Sequence, residues 1–158
     1  MADEETKSLK WEGKATTELK TTKAQQVFPL LEDFCNIHKW LPALETCTHV
    51  QGVDGKPGLV RHCTFKTINQ DEPAKWCYET LLSLDPVKQS ISYKVTENTL
   101  GLSSYVAELK VIEINDNGCK MEWWFTADPM EEMTLEGLTG YIDSLLKAMA
   151  ETIENELK

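Results

Sequence analysis

Arg61 and Glu79 are the residues whose types and placement could do chemistry together. Each sits in a segment with the two-residue alternation of a strand. From Leu59 to Thr67, Leu59, Arg61, Cys63 and Phe65 form the more apolar set, so this set is expected to face inward, with Val60, His62, Thr64 and Lys66 facing out. That carries a guanidinium into apolar surroundings, where an unpaired charge is costly. From Ala74 to Leu84 the pattern is ambiguous: Trp76, Tyr78, Leu82 and Leu84 share one face, and Cys77, Glu79 and Leu81 the other. A turn over Asn69 to Pro73 centred on Gln70 would set Arg61 opposite Glu79 and Cys63 opposite Cys77. Two readings follow. The pair is a structural ion pair across a hairpin, or it is the polar centre of an apolar cavity. In the second reading Arg61 holds an anionic or polar oxygen and Glu79 serves as acid or base.

Tyr93, Tyr105 and Trp123 share the inward parity of their own strands. They are either core packing or the aromatic walls of that cavity, with two hydroxyls to orient a ligand. Cys35-x-x-His38, with Cys47, His49 and His62, invites a metal reading. No second Cys-x-x-Cys or His-x-x-His accompanies it, and His62 and Cys63 point to opposite faces, so no metal is expected. Gly52-Val-Asp-Gly-Lys-Pro-Gly58 has the glycines of a phosphate loop but no following helix and no Walker pattern, so it reads as a strand-joining turn. No cofactor is expected.

Positioning these residues falls to the elements around them. Leu9 to Leu19 alternates, with Leu9, Trp11, Gly13, Ala15, Thr17 and Leu19 on the inner face. Thr22 and Gln25 suggest a capping box ahead of the helical stripe Val27, Phe28, Leu31, Phe34 and Cys35, in which Pro29 should kink or offset the first turns. Asn36 to Leu41 suggests a second short helical turn. Strand character recurs at Thr46 to Gln51, Leu59 to Thr67, Ala74 to Leu84, around Ile91, Tyr93 and Val95, from Tyr105 to Val111, and from Cys119 to Phe125. Asn115-Asp-Asn-Gly118 is the strongest hairpin signal. From Met133 to Lys158, Leu135, Leu138, Ile142, Leu145, Met149, Ile153 and Leu157 recur at helical spacing, with Gly137 and Gly140 loosening the first turns. The order is strand, short helices, consecutive strands, long helix. That predicts an α+β fold in which an antiparallel meander curls around the last helix, bringing Leu138 and Ile142 over the inner face.

The bulk numbers agree. With 158 residues, 41% of them hydrophobic, one domain is the default. The expected division is an acidic disordered tail over 1–8 and a single domain over 9–158. A net charge of -10 argues against nucleic acid and anionic membrane surfaces. No apolar run is long enough to span a membrane. The polar start and the odd number of cysteines, five, are those of a cytoplasmic protein.

Lys10-Trp11-Glu12-Gly13-Lys14, Leu31-Glu-Asp-Phe34, Asn36-Ile-His-Lys39 with Pro42, Gly58-Leu-Val-Arg61, Glu79 with Leu84-Asp85, Ser92-Tyr93, Thr96-Glu97 and Tyr105 together resemble plant lachrymatory-factor-synthase-like proteins. These belong to the polyketide cyclase/dehydrase and lipid-transport (START-like) superfamily, with the birch-pollen allergen and the abscisic acid receptors. The resemblance spans Lys10 to Lys158. It implies a helix-grip fold: a seven-stranded antiparallel sheet around a long C-terminal helix, with two short helices after the first strand. It also implies a small hydrophobic molecule as ligand. In the synthase an Arg and a Glu on adjacent strands handle a sulfenic acid. Arg61 and Glu79 fall at those positions, and Tyr93 and Tyr105 at pocket tyrosines. With Trp123, Phe65, Leu81, Leu138 and Ile142, these are the expected ligand-binding residues. The receptors match less well. Their latch Glu-His-Arg-Leu becomes Glu97-Asn98-Thr99-Leu100, and the Lys that meets the hormone carboxylate corresponds to Glu45, which would repel it.

Overall fold

The computed structural model describes residues 10–157. The expected tail over 1–8, Leu9 and Lys158 lie outside the described residues.

Trp11–Leu19 forms β1, whose alternation buries Ala15 and Leu19 and leaves Lys14 and Glu18 outside. Two short helical segments follow: α1 (Ala24–Glu32) and a 3-10 helix (Phe34–Lys39). Six strands come next: β2 (Leu44–Gln51), β3 (Val60–Phe65), β4 (Trp76–Asp85), β5 (Ser90–Asn98), β6 (Val106–Glu113) and β7 (Cys119–Ala127). A helix, α2 (Leu135–Leu157), ends the chain. The seven strands form one sheet in the order β1-β7-β6-β5-β4-β3-β2, with every neighbouring pair antiparallel. Strands β2 to β7 are the predicted meander, and β1 closes against β7. No helix among the described residues is long and apolar enough to cross a membrane.

Two local features differ from the sequence reading, while the hairpin read at Asn115 to Gly118 forms between β6 and β7. The cap of α1 is Lys23, not Thr22. The Lys23 N–H donates to Gln26 Oε1 at 3.0 Å, but a lysine side chain has no acceptor to return the bond, so only half of a capping box forms. Pro29 lies inside α1 without breaking it. The Asp33 N–H still reaches the Pro29 carbonyl at 3.3 Å, and the chain then tightens into the 3-10 segment, with Asn36 outside helical angles (φ -117, ψ 18). The turn between β6 and β7 is an Asx-type loop. Asn115 Oδ1 accepts from the N–H groups of Asn117 and Gly118, each at 2.8 Å, and neither Asn117 nor Gly118 has positive φ. Gly118 is required by space instead: a Cβ there would stand 2.7 Å from the Leu19 carbonyl oxygen. The glycine loop between β2 and β3 is a turn, with Gly52, Gly55 and Gly58 all at positive φ.

Helix α2 starts where Thr134 Oγ1 accepts the Gly137 N–H at 3.0 Å. It buries Leu138, Ile142, Leu145, Leu146, Met149 and Ile153 against the concave face of the sheet. Each such side chain contributes about 1.5–3 kcal/mol when fully removed from water. The helix approaches β1 and β7 most closely. Gly13 permits this, because a Cβ there would lie 2.5 Å from Phe125 Cζ and 2.7 Å from Thr139 Oγ1. Docked toward one side, α2 leaves the concave face of β3 to β5 incompletely covered.

Candidate functional site

The uncovered part of the concave face is a cavity of about 470 Å³, within the range of about 300–1,000 Å³ usual for small-ligand sites. Its walls combine inward residues of β3 to β7 with the facing side of α2. Its opening is flanked by the exposed residues Lys66, Ile68, Glu72 and Lys75 of the β3–β4 connection.

Alternation and register bring the charged pair together inside it. Arg61 pairs with Glu79 and Cys63 with Cys77 across β3 and β4, as the Gln70-centred turn predicts. This resolves the ambiguity of β4: Cys77, Glu79 and Leu81 face inward. A register shift between Leu81 and Ser83 then breaks the alternation, so that Leu82 and Ser83 are both exposed. Arg61 is 4% exposed. Its Nε donates to Glu79 Oε1 at 2.7 Å and its Nη1 to the Phe34 carbonyl at 2.8 Å. The guanidinium lies 3.7 Å above the Phe34 ring centroid and 5.1 Å from that of Tyr93. Burial, the largest single influence, would lower the Arg61 pKa, but the Glu79 carboxylate together with Cys63, Tyr93 and Cys47 outweighs it and the net shift is upward. Glu79 Oε1 also receives the Cys63 thiol at 3.9 Å; no protein group among the described residues hydrogen-bonds Oε2.

The aromatic residues complete the polar end. Tyr93 and Tyr105 have ring centroids 6.5 Å apart, and Trp123 Nε1 donates to the Tyr105 hydroxyl at 3.2 Å, leaving that hydroxyl its own proton to donate. Burial pushes the Tyr93 and Tyr105 phenols well above their ordinary range, so both stay neutral donors. Phe65, Leu138 and Ile142 line the cavity with Arg61, Glu79, Tyr93, Tyr105 and Trp123. Leu81 does not. It is 1% exposed but its backbone bonds to Gly58 and Leu59 at the far end of the hairpin, so it packs in the core away from the cavity.

Cysteines from three neighbouring strands lie in one row: Cys47 pairs with Cys63, and Cys63 with Cys77. The Cys47 and Cys63 sulfurs are 3.6 Å apart. Cys63, Cys77 and Glu79 offer ligand atoms within 4.8 Å of one another. These are not the residues the Cys/His pattern singled out, and they fit a cation poorly. Glu79 already neutralises Arg61, and the Cys63 thiol is shifted up: its hydrogen bond with Cys47 pulls it down, but Cys77 and burial prevail.

Several cavity residues were beyond periodicity. Ile37 comes from the 3-10 segment, Leu41 from the turn just after it, and Leu100, Leu102, Met130 and Met133 from loops that carry no strand or helix period. Asn98 fixes one of these loops. Its Oδ1 accepts from the N–H groups of Leu100 and Leu102, and its Nδ2 donates to the Leu102 carbonyl at 3.0 Å. Thr99 ties the same loop to β4, accepting the Trp76 N–H at 2.9 Å. The altered latch residues thus anchor the loop. Glu45 sits exposed beside the β2 irregularity and is not among the residues that line the cavity.

A family model described as polyketide cyclase/dehydrase and lipid transport matches residues 10–154. Among solved structures, ginseng major latex-like protein 151 from Panax ginseng superposes with a TM-score of 0.74 at 22% identity, covering 94% of this chain and 97% of that one. The protein XoxI from Bacillus cereus gives 0.72 at 18% identity, covering 92% and 94%. An uncharacterized protein from Bacillus thuringiensis gives 0.73 at 21% identity, covering 90% and 98%. These likenesses extend along nearly the whole chain and show the same fold.

Proposed function

We propose that this chain, which belongs to the polyketide cyclase/dehydrase and lipid-transport family, binds a small hydrophobic molecule between the curved sheet and α2, with Arg61 and Glu79 as its polar anchor. The observation that carries this is the cavity of about 470 Å³ whose otherwise apolar and aromatic inner end holds one buried opposite-charge pair. Tyr93, Tyr105 and Trp123 orient the ligand, and Phe65, Leu138 and Ile142 enclose its apolar part. Leu81 supports the fold only. The free thiols suit a reducing compartment, so the protein acts in the cytoplasm.

A second reading rests on Glu79 Oε2, the carboxylate oxygen left open to the cavity. In a lachrymatory-factor-synthase-type isomerase or cyclase, Glu79 would move a proton on the ligand while Arg61 stabilises developing oxyanion charge. One experiment separates the two. Wild type and Glu79→Gln are incubated with a metabolite extract, and free and protein-bound fractions are compared by untargeted mass spectrometry. Retention of an unchanged compound by wild type is expected. Consumption by wild type, slowed by about 10²–10⁴-fold in Glu79→Gln, would favour the enzyme. If wild type neither retains nor consumes any compound, the binding function is refuted.

A further inference from the structure

We infer that the cavity selects neutral ligands bearing a hydroxyl or N–H donor and rejects carboxylates of the same shape, and that Glu79 sets this selectivity. The inference rests on the ligand-binding reading above and adds the chemical class of ligand.

At the inner end of the cavity the charges are already balanced. Arg61 is the cation there, and its Nε is engaged by Glu79 Oε1 at 2.7 Å while Nη1 is held by the Phe34 carbonyl. The Phe34 ring lies against its guanidinium. A carboxylate entering this end would share one buried cation with Glu79, leaving a net negative charge out of water, which is strongly unfavourable. A neutral hydroxyl or N–H meets the opposite situation. Glu79 Oε2 is an acceptor without a protein partner, and the Tyr105 hydroxyl, which accepts from Trp123, still has a proton to give. A hydroxyl can satisfy both: it donates to Oε2, a charge-assisted bond, and accepts from a phenol. The remaining cations on the wall, Lys66 and Lys75, are exposed at the opening beside Glu72, where hydrated charges attract an anion weakly. A carboxylate held there, head outward, would not respond to changes at Glu79.

The test uses three probes of one shape, naphthalene, naphthol and naphthoate, titrated calorimetrically into the full chain at neutral pH. Naphthol is expected to bind wild type at least about tenfold more tightly than naphthoate. In Glu79→Gln, Arg61 becomes an unneutralised cation, and naphthoate is expected to gain about tenfold. Glu79→Asp, which keeps the charge, should keep the wild-type order. Equal binding of naphthol and naphthoate by wild type, or a naphthoate affinity unchanged in Glu79→Gln, overturns the inference while naphthalene binding leaves the ligand-binding reading intact. Failure of all three probes to bind overturns both. Should Glu79→Gln not fold, wild type decides: naphthoate weaker than naphthalene is expected, and naphthoate as tight as naphthalene overturns the inference.

Discussion

Arg61 on β3 and Glu79 on β4 stand directly opposite each other in the sheet, and their side chains meet at 2.7 Å on its concave face. Both are largely shielded, with side-chain exposures of 5% and 13%. A charge pair in this position shapes stability as well as ligand choice, because the buried Arg61 guanidinium depends on Glu79 for its counter-charge.

Removing one member should therefore cost more than removing both. Glu79→Ala is expected to lower the unfolding free energy by about 3–5 kcal/mol, and the double change Arg61→Met with Glu79→Leu to recover most of that loss. Urea denaturation of the two variants checks this. A double variant as unstable as the single one would show that the pair itself, rather than the orphaned charge, dominates.

Leu81 and Ile142 should separate core from cavity. Leu81→Ala is expected to lose about 2–5 kcal/mol of stability while leaving the affinity of the folded protein for naphthol unchanged. Ile142→Ala removes part of the cavity wall, and naphthol affinity should fall several-fold. If Leu81→Ala alters affinity as much as Ile142→Ala, the cavity extends further along β4 than its lining residues indicate.

Gly13 sets how closely α2 lies on β1. Gly13→Ala must push against Phe125 Cζ, 2.5 Å from the added Cβ, and Thr139 Oγ1 at 2.7 Å. We expect a loss of about 1–3 kcal/mol, the usual cost of overpacking. A midpoint in urea equal to wild type would show that the helix shifts away without penalty.

The buried phenols predict alkaline sensitivity. Burial raises the Tyr93 and Tyr105 pKa values above the ordinary value of 10.0, so the folded state retains protons that the unfolded chain releases. Their contribution to stability is complete below about pH 10 and falls as pH rises above it. Unfolding free energies measured from pH 9 upward should hold to about pH 10 and then decline by up to about 1.4 kcal/mol per pH unit for each such proton, and Tyr93→Phe or Tyr105→Phe should flatten the slope. Slopes identical in wild type and both variants would contradict this origin.

Much of the site is legible in the chain because a strand's period is two. Parity alone puts Arg61, Cys63 and Phe65 on one face, and a turn centred on Gln70 then aligns Arg61 with Glu79. The helical stripe from Leu138 to Ile153 likewise carries its own period, and its length requires a sheet to cover it. The fold follows from these regularities. What periodicity does not encode is three-dimensional offset. Leu81 shares parity with Glu79, yet it lies too far along the hairpin to reach the cavity, since parity assigns a face and not a depth. Gly118 is needed for the Leu19 carbonyl rather than for its own φ, because that approach depends on a neighbour distant in sequence. Loop residues such as Leu100, Leu102 and Met130 join the wall only once Asn98 and the β-strands have positioned them. The cavity itself is decided by the tertiary structure: α2 settles toward β1 and β7 where Gly13 lets it approach, and the space it leaves over β3 to β5 is what no single segment specifies.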